Sequence, residues 1–510
     1  MAEITGRDAH KINDDWFTLF LAGAFGSGAA ADTPAAARGF EADFDTASGV
    51  AAALILDYSG VANGQYFAND DNTKTFGDLH TFTRASLATQ KNSSGTLVFA
   101  PHNLALQAED MSTTWTATSV TVGTNDETAP NGTATADKLT EGSGGTDHRM
   151  HQAQTFISGA SYRAAVYAKD IDRRYVTVSV ATTGSTDYFT ATFDLQLGTT
   201  LQTGDNGVNT FTSASMTLDA SGFYLCEVIG TPGATSGFVF VALSEGGAVG
   251  QWGVDNYSGD GASAAHVWGY QFGATPMAPA IDTYATTYVP TTTAAVYQHR
   301  LDHDKDGNRI GLAVEEARTN LQVHSAAFDN VAWTTQNVAV VGDDATSPDG
   351  TTTADKLTDD ATDAAHNVFD IPTLASATDA AFSMWAKAGT KDFVCINYGA
   401  ANLYIAAVFD LSAGAGTASQ TAAFGTGSTI VSTKIEDWGN GWYRCILVGQ
   451  INSANGFFEI GLAEAATGNS FTAFGETTYI GSSQTAHLWG AQMEAGTFAT
   501  SYIPTTTASV

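Results

Sequence analysis

The residues best equipped to do chemistry are acidic and aromatic. In "DHDKDGNRIGLAVEE", residues 302–316, Asp302, Asp304 and Asp306 alternate and are followed by Gly307. That is the first half of a calcium loop, in which alternating oxygen ligands precede a turn glycine. The twelfth position, which should supply a bidentate Glu, is Ala313, and the acids arrive later as Glu315 and Glu316. The same letters also spell a tight turn, since Asp-Gly between apolar stretches favours a hairpin. A turn is the preferred reading of Asp302, Asp304 and Asp306, with calcium as the alternative; no other cofactor is expected.

Sugar binding needs flat aromatic faces with amides or carboxylates beside them. Trp252 and Tyr257 stand in the polar stretch "GQWGVDNYSGDG", which reads as an insertion with no counterpart in the second half of the chain. Trp438, in "EDWGNGW", is a third candidate, although strand packing explains Trp438 and Trp442 equally simply. Glycoside hydrolysis would need one carboxyl in an apolar pocket and a second close by. With 53 Asp and Glu, no pair stands out. No G-x-S-x-G, H-E-x-x-H or phosphate-loop pattern is present. Binding without catalysis is the expectation.

These residues are set in a duplicated frame. "NLALQAEDMSTTW" from Asn103 answers "NLQVHSAAFDNVAW" from Asn320, and "ADKLT", "FDL", "GFYLC"/"GWYRC", "AHVWGYQF"/"AHLWGAQM" and "YVPTTT"/"YIPTTT" recur in the same order. His148 and His366, and His266 and His487, occupy matching places, which favours hydrogen bonding within the fold over catalysis. Cys226 and Cys445 also match and read as buried small hydrophobes. Stretches such as "SYRAAVYAK" and "GFVFVAL" alternate with the period of strands, and Gly- and Asn-rich breaks separate them. The expected fold class is all-β: two tandem antiparallel β-sandwiches of jelly-roll type, 81–297 and 298–510, after a small N-terminal region, 1–80. Trp268 and Trp489 read as core residues of a terminal strand, and the Pro-Thr-Thr-Thr phrases as extended exits.

The net charge of −32 argues against nucleic acid and anionic membranes, because both require Lys and Arg to displace counterions. "WFTLFLAGAFGSGAAA", 16–31, has the length of a signal-peptide apolar region, yet Asp14 and Asp15 precede it where a signal carries positive charge. A buried strand-turn segment is the better reading, and no membrane insertion is expected.

The phrases "TFTRASLAT" (81–89), "LDHDKDGNRIGLAVEEARTNL" (301–321), "AFDNVAW" (327–333), "PDGTTTADKLT" (348–358), "GNGWYRC" (439–445), "HLWGAQMEAG" (487–496) and "TSYIPTTTASV" (500–510) resemble phage tail-fibre and head-spike proteins with carbohydrate-binding-like sandwich modules. Similar modules occur in phage-like gene-transfer particles. The resemblance implies a structural virion appendage made in the bacterial cytoplasm and displayed on the virion surface. It further implies that residues 1–80 dock to other virion proteins of the capsid or tail. Host-surface polysaccharide would be the ligand, and the assembly a homo-oligomer, trimeric as a fibre or pentameric at a capsid vertex. The charge favours a neutral or weakly charged glycan. The alternatives are a polysaccharide-degrading enzyme or a secreted glycan-binding accessory protein, and a decorating protein with no ligand.

Overall fold

The computed structural model describes residues 86–510 apart from 158–159, 183, 281–287, 314 and 510. Before residue 86 it describes the backbone of three strands, Phe40–Phe44, Ala52–Leu56 and Phe67–Ala68, paired in an antiparallel sheet. The apolar run 16–31 lies outside the described residues. The chain divides into two compact units, residues 1–83 with 309–311, and 84–308 with 312–510. Both sandwiches belong to the second unit.

Each sandwich has two six-stranded antiparallel sheets with the same connectivity. In the first, one sheet runs in the order Thr199–Asn206, Tyr188–Asp194, Tyr175–Thr182, Ser236–Ser244, His148–Thr155, Thr116–Thr118. Its partner runs Thr210–Leu218, Tyr224–Thr231, Tyr162–Asp170, Ala264–Ala274, Ala136–Glu141, Val120–Glu127. The second sandwich repeats this with Gln420–Phe424, Leu403–Asp410, Phe393–Ala400, Phe457–Leu462, Asn367–Asp370, Thr334–Gln336 facing Thr429–Gly439, Trp442–Gln450, Ala380–Ala388, Thr485–Ala495, Thr352–Asp359, Val338–Thr346. Alternate residues enter the space between sheets: Val176, Val178 and Val180 in one core, Val394, Ile396 and Tyr398 in the other. The expected all-β tandem of sandwiches is what the chain forms.

The repeated phrases are the joints of this frame. The Asn103 amide donates to the carbonyls of Tyr270 and Val289 (2.9 Å each), and its oxygen accepts from Ala105 and Phe272 N–H. Asn320 does the same with Ala491, Ile503, Gln322 and Met493. The Asp of each "ADKLT" is likewise buried and accepts backbone N–H groups, Asp137 from Met111 and Asn125, Asp355 from Phe328, Asp329 and Asp343. Such side chains stand in for strand partners where loops cross the sheet ends. His148 and His366 sit 2.8 Å from the carbonyls of Ser119 and Asn337, and His266 and His487 each lie 2.9 Å from an Asp. All three cysteines are free and buried.

The tryptophan phrases form core of the last strand, as expected, but in a layer of their own. Trp268 and Trp489 are buried, at 1% and 2% exposure, but outside the inter-sheet core. Gly269 (φ 67°) and Gly490 (φ 68°) form bulges in the last strand, where the pairing register with the neighbouring strand shifts. Before the bulge Val267 points inward and Trp268 outward; after it Tyr270 and Phe272 point inward. The tryptophans therefore belong to a second apolar layer on the outside of the sheet. Trp268 packs there with Tyr167, Phe223 and Tyr288, and Trp489 with Trp385, Trp442 and Tyr502. The exit segments carrying Tyr288 and Tyr502 lie over it.

A hairpin preceding the first sandwich, Thr89–Lys91 paired with Leu97–Phe99, is shared between the modules. Leu97 joins the tryptophan layer of the second sandwich and its N–H donates to Pro348 O. Phe99 exchanges backbone hydrogen bonds with Pro276 and Ala278 of the first. His102–Asn103 then pairs with Val296–Tyr297, so the first sandwich begins and ends at one neck.

Candidate functional site

Outward positions of a solvent-facing sheet should be polar. On one sheet of each sandwich several are aromatic instead. In strand Ser236–Ser244, Val239, Val241 and Leu243 fill the core while Phe238 and Phe240 face out. In strand Phe457–Leu462, Phe458, Ile460 and Leu462 fill the core while Phe457 and Glu459 face out. A strap crosses each of these faces, residues 245–256 in the first sandwich and 463–477 in the second.

The first strap is tied down by hydroxyls. Ser179 Oγ donates to Trp252 O (2.6 Å) and Thr190 Oγ1 to Gly253 O (2.7 Å), while Trp252 N–H donates to Ser185 O. Trp252 is thereby held at φ 63°, and Gly253 at 70°. Its ring stands edge to face on Phe238 (5.6 Å) and leans on Phe240 (5.7 Å). His151, from the neighbouring strand, contacts both phenylalanines, and the Arg149 guanidinium lies 5.5 Å from the Trp252 ring. His151, Phe238 and Trp252 are half-buried, so each offers part of its ring to solvent.

The second strap has the same anatomy. Asn397 donates to Phe474 O, as Ser179 does to Trp252 O. Phe474 stands edge to face on Phe457 at 5.6 Å, and Phe369 on Phe457 at 5.5 Å. Phe369, Phe457 and Phe474 are again half-buried. Trp252 thus has a counterpart, Phe474, and "WGVDNY" answers "FGETTY". The expectation of an insertion peculiar to the first repeat is corrected. That aromatic-Gly-x-x-x-Tyr phrase was the available sequence signal. The outward Phe238 and Phe457 were missed because they lie in strands that read simply as apolar.

The other candidates have different roles. Tyr257 corresponds to Tyr479. Each donates its phenol to a buried carboxylate at 2.7 Å, Glu141 or Asp359, and packs on a histidine, His148 at 4.4 Å or His366 at 4.6 Å. Burial beside the carboxylate pushes both phenols far up. Tyr257 is thus a fastening of the fold. Trp438 is also occupied: one ring contact is Trp385 at 5.0 Å, and the Lys91 ammonium lies 3.8 Å from its centroid. Only Trp252 of the three takes part in an open aromatic cluster.

The aspartates of the calcium alternative face different partners. Asp302 turns inward to accept from Lys91 and His303 N–H, Asp304 caps its own turn by accepting from Asp306 and Asn308, and Asp306 pairs with Lys305. Gly307, at φ 82°, closes the turn. The three carboxylates are spent separately, and among the described residues no three His, Cys, Asp or Glu side chains converge as metal ligands.

One pair of acids does come together. Glu459 and Glu476 converge on one amide, Asn367 Nδ2, at 3.1 and 3.2 Å. Burial, then the neighbouring Glu476, push Glu459 up to about 8. The adjacency suits one shared proton.

No family model matches the chain, and no curated protein matches it. Among solved structures it is similar to the N-terminal CBM22-1–CBM22-2 tandem domain of Xyn10C from Paenibacillus barcinonensis, at 12% identity and a TM-score of 0.24, with 81% of this chain and 100% of that one covered.

Proposed function

We propose that this chain is a non-catalytic glycan-binding protein that serves as a surface appendage of a phage or phage-like particle. The observation carrying the binding part is the recurrence of a half-exposed aromatic cluster at one place on both sandwiches: His151, Phe238 and Trp252 on one, Phe369, Phe457 and Phe474 on the other. Aromatic rings left partly open on a rigid sheet and flanked by amide, guanidinium and carboxyl groups suit the apolar C–H face and the hydroxyls of a sugar. The appendage part rests on the sequence resemblance to tail-fibre and head-spike proteins. Each cluster is shallow, so a single site binds weakly and the particle gains its grip from many copies in a symmetric homo-oligomer.

The test uses the full chain on an array of neutral and acidic polysaccharides, with sugar release measured in parallel. Binding is expected without release of reducing ends, and Trp252→Ala combined with Phe474→Ala should weaken it at least tenfold while the far-ultraviolet spectrum stays unchanged. Full binding by the double variant removes these clusters as the site. Release of fragments makes the protein an enzyme. Particles carrying the double variant should assemble normally and adsorb to host cells more slowly.

A further inference from the structure

The two straps are built alike but fastened by different chemistry. Register places Glu459 where the first sandwich has Phe240: each lies opposite the strap-holding residue of the adjacent strand, Asn397 or Ser179. The shared turn places Glu476 where the first strap has Val254, since Thr472 N–H donates to Glu476 O as Gly250 N–H does to Val254 O. An apolar pair of positions has thus become a pair of carboxyls, one on the sheet and one on the strap.

Among the described residues, the groups that act most on Glu459 include no cation. Glu459 is 3% exposed. What acts on it is the Glu476 carboxyl from the strap and the Asn397 amide from strand Phe393–Ala400, with the Asn367 amide donating from strand Asn367–Asp370. The Cys395 thiol, next but one to Asn397, is the other ionisable group nearby, and burial holds it protonated. Thr472 Oγ1, on the strap, donates to Glu476 Oε2 at 2.7 Å. Two carboxyls that share one buried amide gain from a proton held between them, which makes a strong hydrogen bond.

We propose that a proton shared between Glu459 and Glu476 fastens the strap 463–477 to the sheet of the second sandwich, and that its loss releases the strap. The strap of the first sandwich has Phe240 and Val254 at the corresponding places and is held by the hydroxyls of Ser179 and Thr190; its own buried acid, Asp255, accepts N–H groups of Glu245 and Gly247 within the strap. The sign follows from linkage. The Glu459 carboxyl is raised from an ordinary 4.5 to about 8, so its fastening is complete below about 4.5 and is lost as the pH rises towards about 8. Release grows by at most tenfold per pH unit in that interval and levels off above it.

Hydrogen exchange of the full chain at pH 6.5 and 8.5, corrected for the intrinsic rate, tests this. Protection of 463–477 should fall about tenfold between the two, and that of 245–256 should hold. Glu459→Gln should abolish the fall, leaving the strap equally protected at both pH values. Should that variant fold poorly, Glu476→Gln removes the other half of the pair and should give the same result. A wild-type strap that does not respond, a fall that survives both substitutions, or an equal fall in both straps overturns the proposal.

Discussion

The ammonium of Lys91 lies over the ring of Trp438, 3.8 Å from its centre, although one residue precedes the first sandwich and the other belongs to the second. Burial lowers the lysine's affinity for its proton, while Asp302, Glu436 and Asp437 act to keep it charged. A double-mutant cycle of Lys91→Ala and Trp438→Ala should therefore show a coupling of about 1–2 kcal/mol, the range of a desolvated cation–π contact. Measured by denaturant unfolding, the coupling should persist in high salt; a value near zero would make the contact incidental.

Asn103 and Asn320 hold equivalent joints by four hydrogen bonds each. Truncating either to Ala strands buried N–H and C=O groups and should cost about 2–4 kcal/mol. Hydrogen exchange reads the two sandwiches separately: Asn103→Ala should loosen mainly the first and Asn320→Ala mainly the second.

Trp489→Ala should destabilise its sandwich by about 3–5 kcal/mol, as expected for emptying a buried aromatic site. The vacated space adjoins Leu97, so the hairpin Thr89–Phe99 should also lose protection. A neutral result in a melting comparison would place the ring at the surface.

Calcium should not matter to residues 302–308. Because Asp302, Asp304 and Asp306 each have other partners, millimolar calcium or its removal by chelator should move the melting temperature by less than about 1 °C, a small fraction of the shift produced by 1 kcal/mol. A clear rise with calcium would reinstate the loop as a metal site.

Asp355 is pushed from 3.8 up to about 6, mainly by burial. A carboxyl raised in the folded state lends stability that is complete below about 3.8 and is lost as the pH rises through about 6. The unfolding midpoint of the second sandwich should decline over that window, and Asp355→Asn should flatten the decline. An unchanged slope in the variant would assign it to other groups.

The duplication, the strands and the joints at Asn103, Asn320 and the two "ADKLT" phrases were legible because each is local or recurs in order. The tryptophan layer was not, since a single bulge at Gly269 or Gly490 reverses which face the following residues take, and alternation alone cannot reveal it. The anchoring of Tyr257 was hidden for a different reason. A polar neighbourhood in sequence says little about burial when the ring is covered by His148 and the phenol by Glu141, both far away along the chain. The outward phenylalanines show the converse: Phe238 and Phe457 sit among apolar neighbours, and only the sheet's register separates the rings that seal the core from those that face outward.

The neck where His102–Asn103 pairs with Val296–Tyr297 has a mechanical meaning. Tension entering along the hairpin at Thr89–Phe99 can cross directly to the strand leaving the first sandwich, without passing through that sandwich's core. A pull on the chain is then borne by the neck and by the seat of Leu97 against Trp489, while the first sandwich hangs beside the line of force.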